Sequence, residues 1–207
     1  MVPVCGVIGG LAGGLFSRIL ILFTGGLPGR AGQIISRHPV AFAMLCGLGV
    51  ALCGIVSGDT IYGTGYEQAR AIVHGAAPGG EIFGPLKFLA SVLSSISGIP
   101  GGIFAPSLAV GAGMAADLHL VFHDVPLGAL ALIGMVSYLT GAVQTPITSF
   151  VIVSEMTENH AMIIPLMIAA LIADAISKTI CRGSLYHSLA EIVLRNAARA
   201  RDGKQAA

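Results

Sequence analysis

Apolar stretches alternate along this chain with short breaks that are polar or rich in glycine and proline. Two stretches, Val4–Phe23 and Pro39–Val56, approach the roughly 20 apolar residues that a helix needs to cross a bilayer. The other stretches are shorter, and short helices at membrane depth are tolerated only where protein buries them or where they line a cavity. The pattern therefore predicts an all-α membrane protein of the channel or transporter type. The shorter predicted helices are Glu67–His74, Glu81–Ser97, Ser107–Ala116, Leu127–Ala142, Pro146–Met156 and Ile163–Ala175.

The first predicted helix is rich in glycine at regular spacing. Gly6, Gly10 and Gly14 repeat every four residues, and Gly9 and Gly13 form a second such pair. Small residues on one face of a membrane helix let neighbouring helices approach closely. We therefore expect this helix to pack against other helices of the protein.

The break between Gly98 and Pro106 is the most informative one. Pro100 removes a backbone donor and disfavours helical geometry at the residue before it. Gly101 and Gly102 add backbone freedom where the chain has to turn. A helix is predicted to start after this break. The remaining breaks, residues 25–38, 57–66 and 76–80, are predicted to be polar connections.

Composition agrees with membrane residence. Of 207 residues, 55% are hydrophobic and 10% charged, and the net charge is +1. Soluble domains carry about 25% charged residues. The small net charge gives no reason to expect a nucleic-acid partner, and membrane lipid is the expected surroundings.

The two ends of the chain differ in character. The apolar run that begins at Val2 lacks the basic region and the cleavage site of a signal peptide, and such a start would suit the middle of a larger protein. Basic residues crowd the last thirty residues, and the positive-inside rule places this end in the cytoplasm. We expect a transmembrane domain over residues 1–199 and a basic cytoplasmic tail over 200–207.

The start of the helix after Gly98–Pro106 is a candidate anion site. The first N–H groups of a helix lack internal partners, and the helix dipole adds positive potential there. No lysine or arginine lies between Ser91 and Ala116. Backbone amides without a nearby full cation attract an anion and still release it, as conduction requires. An ordinary kinked helix start is the alternative reading of the same residues.

Other reactive side chains favour structural interpretations. The four cysteines, Cys5, Cys46, Cys53 and Cys181, occur singly and form no metal pattern. Glu155 and Glu158 lie at a predicted helix end, where capping explains them, and Asp174 precedes Lys178 by four residues, which predicts an ion pair. His119 and His123 have the same spacing, but we expect no metal there. The chain holds no nucleophile–base constellation or phosphate loop, so neither an enzyme nor a cofactor is expected.

Several motifs resemble those of the CLC chloride channels and exchangers. Gly102-Ile-Phe-Ala-Pro106 is similar to the family's G-x-F-x-P motif, and Ser97-Gly-Ile-Pro-Gly101 to the run that precedes it. Ser154-Glu-Met-Thr-Glu-Asn159, Pro146-Ile-Thr148 and Gly183-Ser-Leu-Tyr-His187 resemble later family motifs in the same order. The resemblance covers essentially the whole chain and implies a polytopic fold of tilted, short and broken helices, similar to the second inverted repeat of the CLC fold.

The resemblance implies a site and a function. The backbone amides of Ile103 and Phe104 and the hydroxyl of Tyr186 would hold a chloride ion, in a loop that includes Gly101, Gly102 and Pro106. Taken alone, Tyr186 would most often be an interfacial anchor.

The resemblance is confined to the second repeat. The family's first-half motifs, which carry the gating and proton-transfer glutamates, have no match, so a channel and a proton-coupled exchanger fit equally well. We expect a fragment, or one half that needs the first CLC repeat as its partner, in a complete protein that is a homodimer. A non-conducting subunit or remnant that associates with a complete CLC protein is the alternative.

Overall fold

The computed structural model describes residues 1–26, 30–76, 82–158 and 160–205. This part of the chain is helical and contains no strand, which confirms the predicted all-α class. One turn of 3-10 helix, His160–Met162, precedes the ninth α-helix. The helices in chain order are α1 (Val2–Thr24), α2 (Arg30–Arg37), α3 (Pro39–Val56), α4 (Tyr66–Val73), α5 (Phe83–Ile96), α6 (Phe104–His119), α7 (Leu127–Val143), α8 (Pro146–Thr157), α9 (Ile163–Ile180) and α10 (Leu185–Gln205).

Three of these helices, α1, α3 and α9, are long and apolar enough to cross a membrane, and α5 and α7 are shorter apolar helices. The prediction of an integral, multi-pass membrane protein built partly from short helices is therefore confirmed. The short helices α6 and α7 lie against each other and α7 is buried in the protein, as short helices at membrane depth require.

Two predicted boundaries are wrong. The connection over residues 25–38 contains α2, because Arg30–Arg37 is a run of residues that tolerate a helix, and the helix ends one residue before His38, whose conformation Pro39 restricts. Helix α6 starts at Phe104 instead of Ser107. Pro106 falls in its first turn, where a missing N–H removes no internal hydrogen bond.

Two further boundaries move outward at the C-terminal end. Helix α9 continues to Ile180 rather than ending at Ala175, and α10 runs on to Gln205, across the limit set at residue 199. The division into a membrane domain and a cytoplasmic tail stays a prediction.

Helix α7 is the centre of the core. Every residue from Leu130 to Val143 is buried. Helices α1, α6 and α9 pack around it. Helix α3 is the opposite case, since only Cys46, Cys53 and Gly54 are buried in it.

The predicted glycine stripes of α1 hold two neighbours at once. A Cβ atom added to Gly13 would lie 2.5 Å from the backbone nitrogen of Ala142 in α7, and one added to Gly10 would lie 2.7 Å from the carbonyl oxygen of Ala173 in α9. One stripe faces α7 and the other faces α9, which confirms that α1 packs against protein.

Buried hydroxyl and amide groups join the ends of these helices. Ser17 donates to the carbonyl of Ala142 at 2.5 Å, and Ser177 donates to that of Gly141 at 2.6 Å. Gln144 ends α7 in the left-handed conformation, at φ 58°, and its Nε2 donates to Ser177 Oγ at 3.2 Å and to the Cys181 carbonyl at 2.6 Å. These bonds fix the ends of α1, α7 and α9 relative to the chain that leads into α10.

Candidate anion-binding site

The loop before α6 turns the chain so that the helix starts in open space. Gly98 has φ +82°, a conformation that favours glycine. Ser97 Oγ accepts the N–H of Ile99 at 3.3 Å, which orders the turn. A Cβ atom added to Gly101 or Gly102 would meet nothing within 4 Å. The loop is therefore held at its beginning and free of contacts just before the helix.

The first amides of α6 are without partners. Ile103 is the N-cap residue, and its carbonyl accepts the N–H of Ser107 at 3.0 Å. Among the residues that the structure describes, no acceptor lies within hydrogen-bonding distance of the N–H groups of Ile103 and Phe104. No side chain caps this helix. The arrangement leaves donors and the positive end of the helix dipole available to a ligand.

Tyr186 lies beside this helix start. Its ring stacks on that of Phe104, with centroids 6.2 Å apart and planes inclined by 20°. The side chains are partly open, at 39% exposure for Phe104 and 43% for Tyr186. A tyrosine hydroxyl is a neutral donor at ordinary pH. The fold thus brings Tyr186 next to Phe104, which directly follows Ile103, although the tyrosine is distant in the sequence.

A cavity of about 440 Å³ opens on one side of the helix start. The loop from Gly98 to Ile103 forms part of its wall, together with Pro106 and Ser107. Helix α5 contributes Lys87, Ser91 and Ser94 to the same wall. Ile103 is part of this lining, whereas Phe104 and Tyr186 are not.

Lys87 is a polar residue of this cavity that the pattern did not single out. The pattern placed it at the edge of the apolar part of its helix, yet its side chain is only 2% exposed. Its Nζ donates to the carbonyls of Ile61 at 2.6 Å and Gly63 at 2.8 Å, both in the connection between α3 and α4. A lysine within an otherwise apolar helix is the sequence signal that could have marked it.

The acidic residues lie elsewhere. Asp174 and Lys178 form the predicted ion pair, with Oδ2 and Nζ 2.6 Å apart. Glu158 ends α8 in the left-handed conformation, at φ 50°, in agreement with a role at the helix end, and Glu155 is exposed.

The histidines and cysteines occupy structural positions. The rings of His119 and His123 lie 6.0 Å apart. In residues 1–26, 30–76, 82–158 and 160–205, no three histidine, cysteine or acidic side chains cluster closely enough to hold a metal ion. The cysteines are all free and buried, as expected of small packing residues.

Comparison with known proteins identifies the family. The family model described as "Voltage gated chloride channel" matches residues 1–178, so Tyr186 and α10 follow the matched part. Among curated proteins, the chain is similar to the H(+)/Cl(-) exchange transporter ClcA of Cronobacter sakazakii, at 30% identity over 89% of this chain and 41% of the relative. It is also similar to ClcA of Citrobacter koseri, at 31% identity over 99% of this chain and 44% of the relative.

These relatives are longer proteins, and the chain spans less than half of their length. The family match nevertheless covers most of the chain, including the helix start at Phe104 and the loop before it. The chain therefore belongs to the voltage-gated chloride channel family, the CLC family whose motifs it resembles.

Proposed function

We propose that this chain transports chloride as the second-repeat portion of a CLC channel or proton/chloride exchanger, and that it acts together with a first repeat. The observation that carries the proposal is the pair of unpartnered amides at Ile103 and Phe104, with the ring of Tyr186 stacked on that of Phe104. The two amides and the tyrosine hydroxyl are donors without full charge, so they bind an anion while letting it leave. The chain acts as a transporter rather than an enzyme.

The openness of the site supports the need for a second half. Gly101, Gly102, Phe104 and Tyr186 are exposed, so only one side of a bound anion would have donors. Two curated relatives that are named H(+)/Cl(-) exchange transporters are more than twice as long as this chain. The first repeat would supply the remaining donors and cover the open side.

Exposed apolar residues on three helices support the proposal that the chain contacts further partners. Helix α3 exposes Val40, Met44 and Ile55 at 71–72% each, as expected of a surface that faces lipid or the other repeat. Ile147 of α8 and Ile164 of α9 are each 71% exposed, and we assign this face to the dimer contact of the complete protein. A cytoplasmic C-terminus is part of the proposal, and the basic residues near the end of the sequence support it through the positive-inside rule.

Chloride efflux from liposomes tests the proposal. The chain is reconstituted alone and together with the N-terminal half of a relative such as ClcA of Cronobacter sakazakii. We expect efflux only from the assembly, and a proton gradient applied to it then distinguishes an exchanger from a channel. A well-folded assembly that passes no chloride would contradict transport and favour the non-conducting subunit.

The site assignment is tested by Tyr186→Phe in the same assembly. The substitution keeps the ring that stacks on Phe104 and removes only the hydroxyl. A hydrogen bond to an ion contributes about 1.5–3 kcal/mol, so we expect a roughly tenfold or greater loss of chloride affinity without loss of folding. Tyr66→Phe is the matched control, because Tyr66 is also exposed but lies at the start of α4. Equal affinities for both variants would exclude Tyr186 from the site.

A further inference from the structure

Lys87 is a buried cation whose counter-charge is not evident. Its side chain is 2% exposed, and its ammonium bonds only to the carbonyls of Ile61 and Gly63. In the part of the chain that the structure describes, no carboxylate lies within ion-pairing distance of its Nζ. Burying a charge is costly unless an opposite charge or a polar environment compensates it. Two carbonyls compensate part of that cost and leave the net charge in place.

Lys87 lines the cavity beside α6, so its positive charge acts on an anion in that cavity. Lys87, Ser91 and Ser94 recur at helical spacing on α5, and all three line the cavity that the Gly98–Ile103 loop also lines. A Cβ atom added to Gly65 would lie 2.6 Å from Ala109 Cβ and 3.2 Å from Lys87 Nζ. The ammonium is therefore next to α6 near Ala109, about 8 Å along the axis from Phe104.

The two carbonyl bonds also restrict the ammonium. The bond lengths of 2.6 Å and 2.8 Å are typical of hydrogen bonds from a charged donor. They hold the head group against the connection between α3 and α4. A cation held in this way attracts an anion without closing on it, which preserves the weak direct contacts that release requires.

We propose that Lys87 is the fixed positive charge that draws chloride, or another small monovalent anion, into this cavity and sets its affinity. The inference rests on the proposed anion site and adds to it a residue that acts through the electric field. It explains how a site built from uncharged donors overcomes the cost of moving an anion out of water. The anion in the cavity is the counter-charge that Lys87 lacks.

Chloride titration of the purified full chain in lipid nanodiscs, followed by calorimetry, tests the inference. At an effective dielectric constant of about 20, a unit charge about 8–10 Å away changes anion affinity by roughly tenfold or more. Lys87→Gln keeps an amide donor and removes the charge, so we expect a loss of that size. Lys87→Arg keeps the charge, and we expect its affinity to stay within about threefold of the original.

A control variant distinguishes the electrostatic effect of Lys87 from its effect on the order of the connection between α3 and α4. Thr60 Oγ1 donates to the carbonyl of Ser57 at 2.9 Å, so Thr60→Ala weakens the same segment without changing charge. We expect it to leave chloride affinity unchanged. A Lys87→Gln variant with original affinity, or a Thr60→Ala variant that loses as much as Lys87→Gln, would overturn the inference.

A second variant covers the case in which Lys87→Gln does not fold. Ser91→Asp places a carboxylate four residues along the same helix face and supplies a counter-charge while the ammonium stays. We expect it to bind chloride at least tenfold more weakly than the neutral Ser91→Asn. Equal affinity of these two variants overturns the inference.

The binding and flux experiments distinguish the two proposals. Chloride binding by the chain that depends on the charge of Lys87, with no flux from the assembly, supports the inference and overturns transport. Flux that is the same for the original chain and for Lys87→Gln, with equal binding, overturns the inference and leaves transport standing. Absence of chloride binding to the original chain overturns the inference.

Discussion

Glycine serves opposite purposes in α1 and in the loop that precedes α6. In α1, an added Cβ atom would enter the backbone of a neighbour, as at Gly13, where Ala142 N would be 2.5 Å away. In the loop, an added Cβ atom at Gly101 or Gly102 would meet nothing within 4 Å. The first set of glycines closes the space between helices, whereas the second leaves the end of a helix uncovered.

The two regions also differ in whether their polar groups have hydrogen-bond partners. In the core around α7, the hydroxyls of Ser17 and Ser177 donate to carbonyl acceptors, whereas the buried hydroxyls of Tyr138 and Thr140 have no partner among the described residues. At the start of α6, two backbone donors remain without acceptors in the described residues and face open space. A membrane protein tolerates such groups only where they line a cavity or contact another chain. The core is closely packed, whereas the proposed site is open to a ligand.

The largest expected effect on the free energy of unfolding is in α1, where glycines pack tightly against neighbouring helices. Gly13→Ala forces a methyl group against the backbone of Tyr138, Gly141 and Ala142, which cannot move as a side chain can. We expect a loss of about 3 kcal/mol in the free energy of unfolding, at the upper end of the cost of overpacking. Unfolding in mixed detergent micelles, followed by circular dichroism, measures it.

Gly47→Ala is the matched control for that variant. Gly47 is also inside an apolar helix, but an added Cβ atom would meet nothing within 4 Å. The alanine is favoured in a helix by up to about 1 kcal/mol, so we expect unchanged or raised stability. A Gly13→Ala protein as stable as Gly47→Ala would contradict the packing of α1 against α7.

A smaller effect is expected from the polar contacts at the end of α7. Gln144→Ala removes the bonds to Ser177 Oγ and to the Cys181 carbonyl. At about 1 kcal/mol for each bond, we expect a loss of about 2 kcal/mol in the free energy of unfolding, measured in the same micelles.

Gln68→Ala is the control for this variant, since Gln68 makes no side-chain hydrogen bond within residues 1–26, 30–76, 82–158 and 160–205. We expect it to change stability by less than about 0.5 kcal/mol. An equal loss in both variants would show that the Gln144 bonds do not join α7 to the chain before α10.

The sequence predicted the helices well where hydrophobic runs and prolines coincide. Pro39–Val56 was predicted with both its ends, because a proline can begin a helix and a polar loop follows. The start of α6 was placed three residues late, since a proline in the first turn looks like a helix breaker when read alone. Helix α2 was missed because half of its eight residues are polar, so that they give no long apolar run to recognise.

Contacts between distant parts of the chain were predicted only where a family motif or a glycine stripe indicated them. The glycine spacing predicted that α1 packs against other helices of the protein. The family motifs predicted that Phe104 and Tyr186 lie close to each other, and their rings are stacked in the structure. The only local signal for Lys87 is that it is a lysine within an apolar helix, and its partners could not be predicted because the carbonyls of Ile61 and Gly63 lie more than twenty residues away in the sequence. Gln144 was missed for the same reason, since its partners lie more than thirty residues further along the chain.

The smallest effect is expected from alanine in the loop, and it tests the open side of the comparison. Gly98 has φ +82°, so Gly98→Ala should cost about 1–2 kcal/mol through backbone strain alone. Gly101 is not in the left-handed region and has open space around it, so Gly101→Ala should change the free energy of unfolding by less than about 0.5 kcal/mol. Both are measured in the same micelles, first on the chain and then on its assembly with a first repeat. A large loss at Gly101 in the chain alone would contradict the open loop, whereas a loss that arises only in the assembly would place the first repeat against the start of α6.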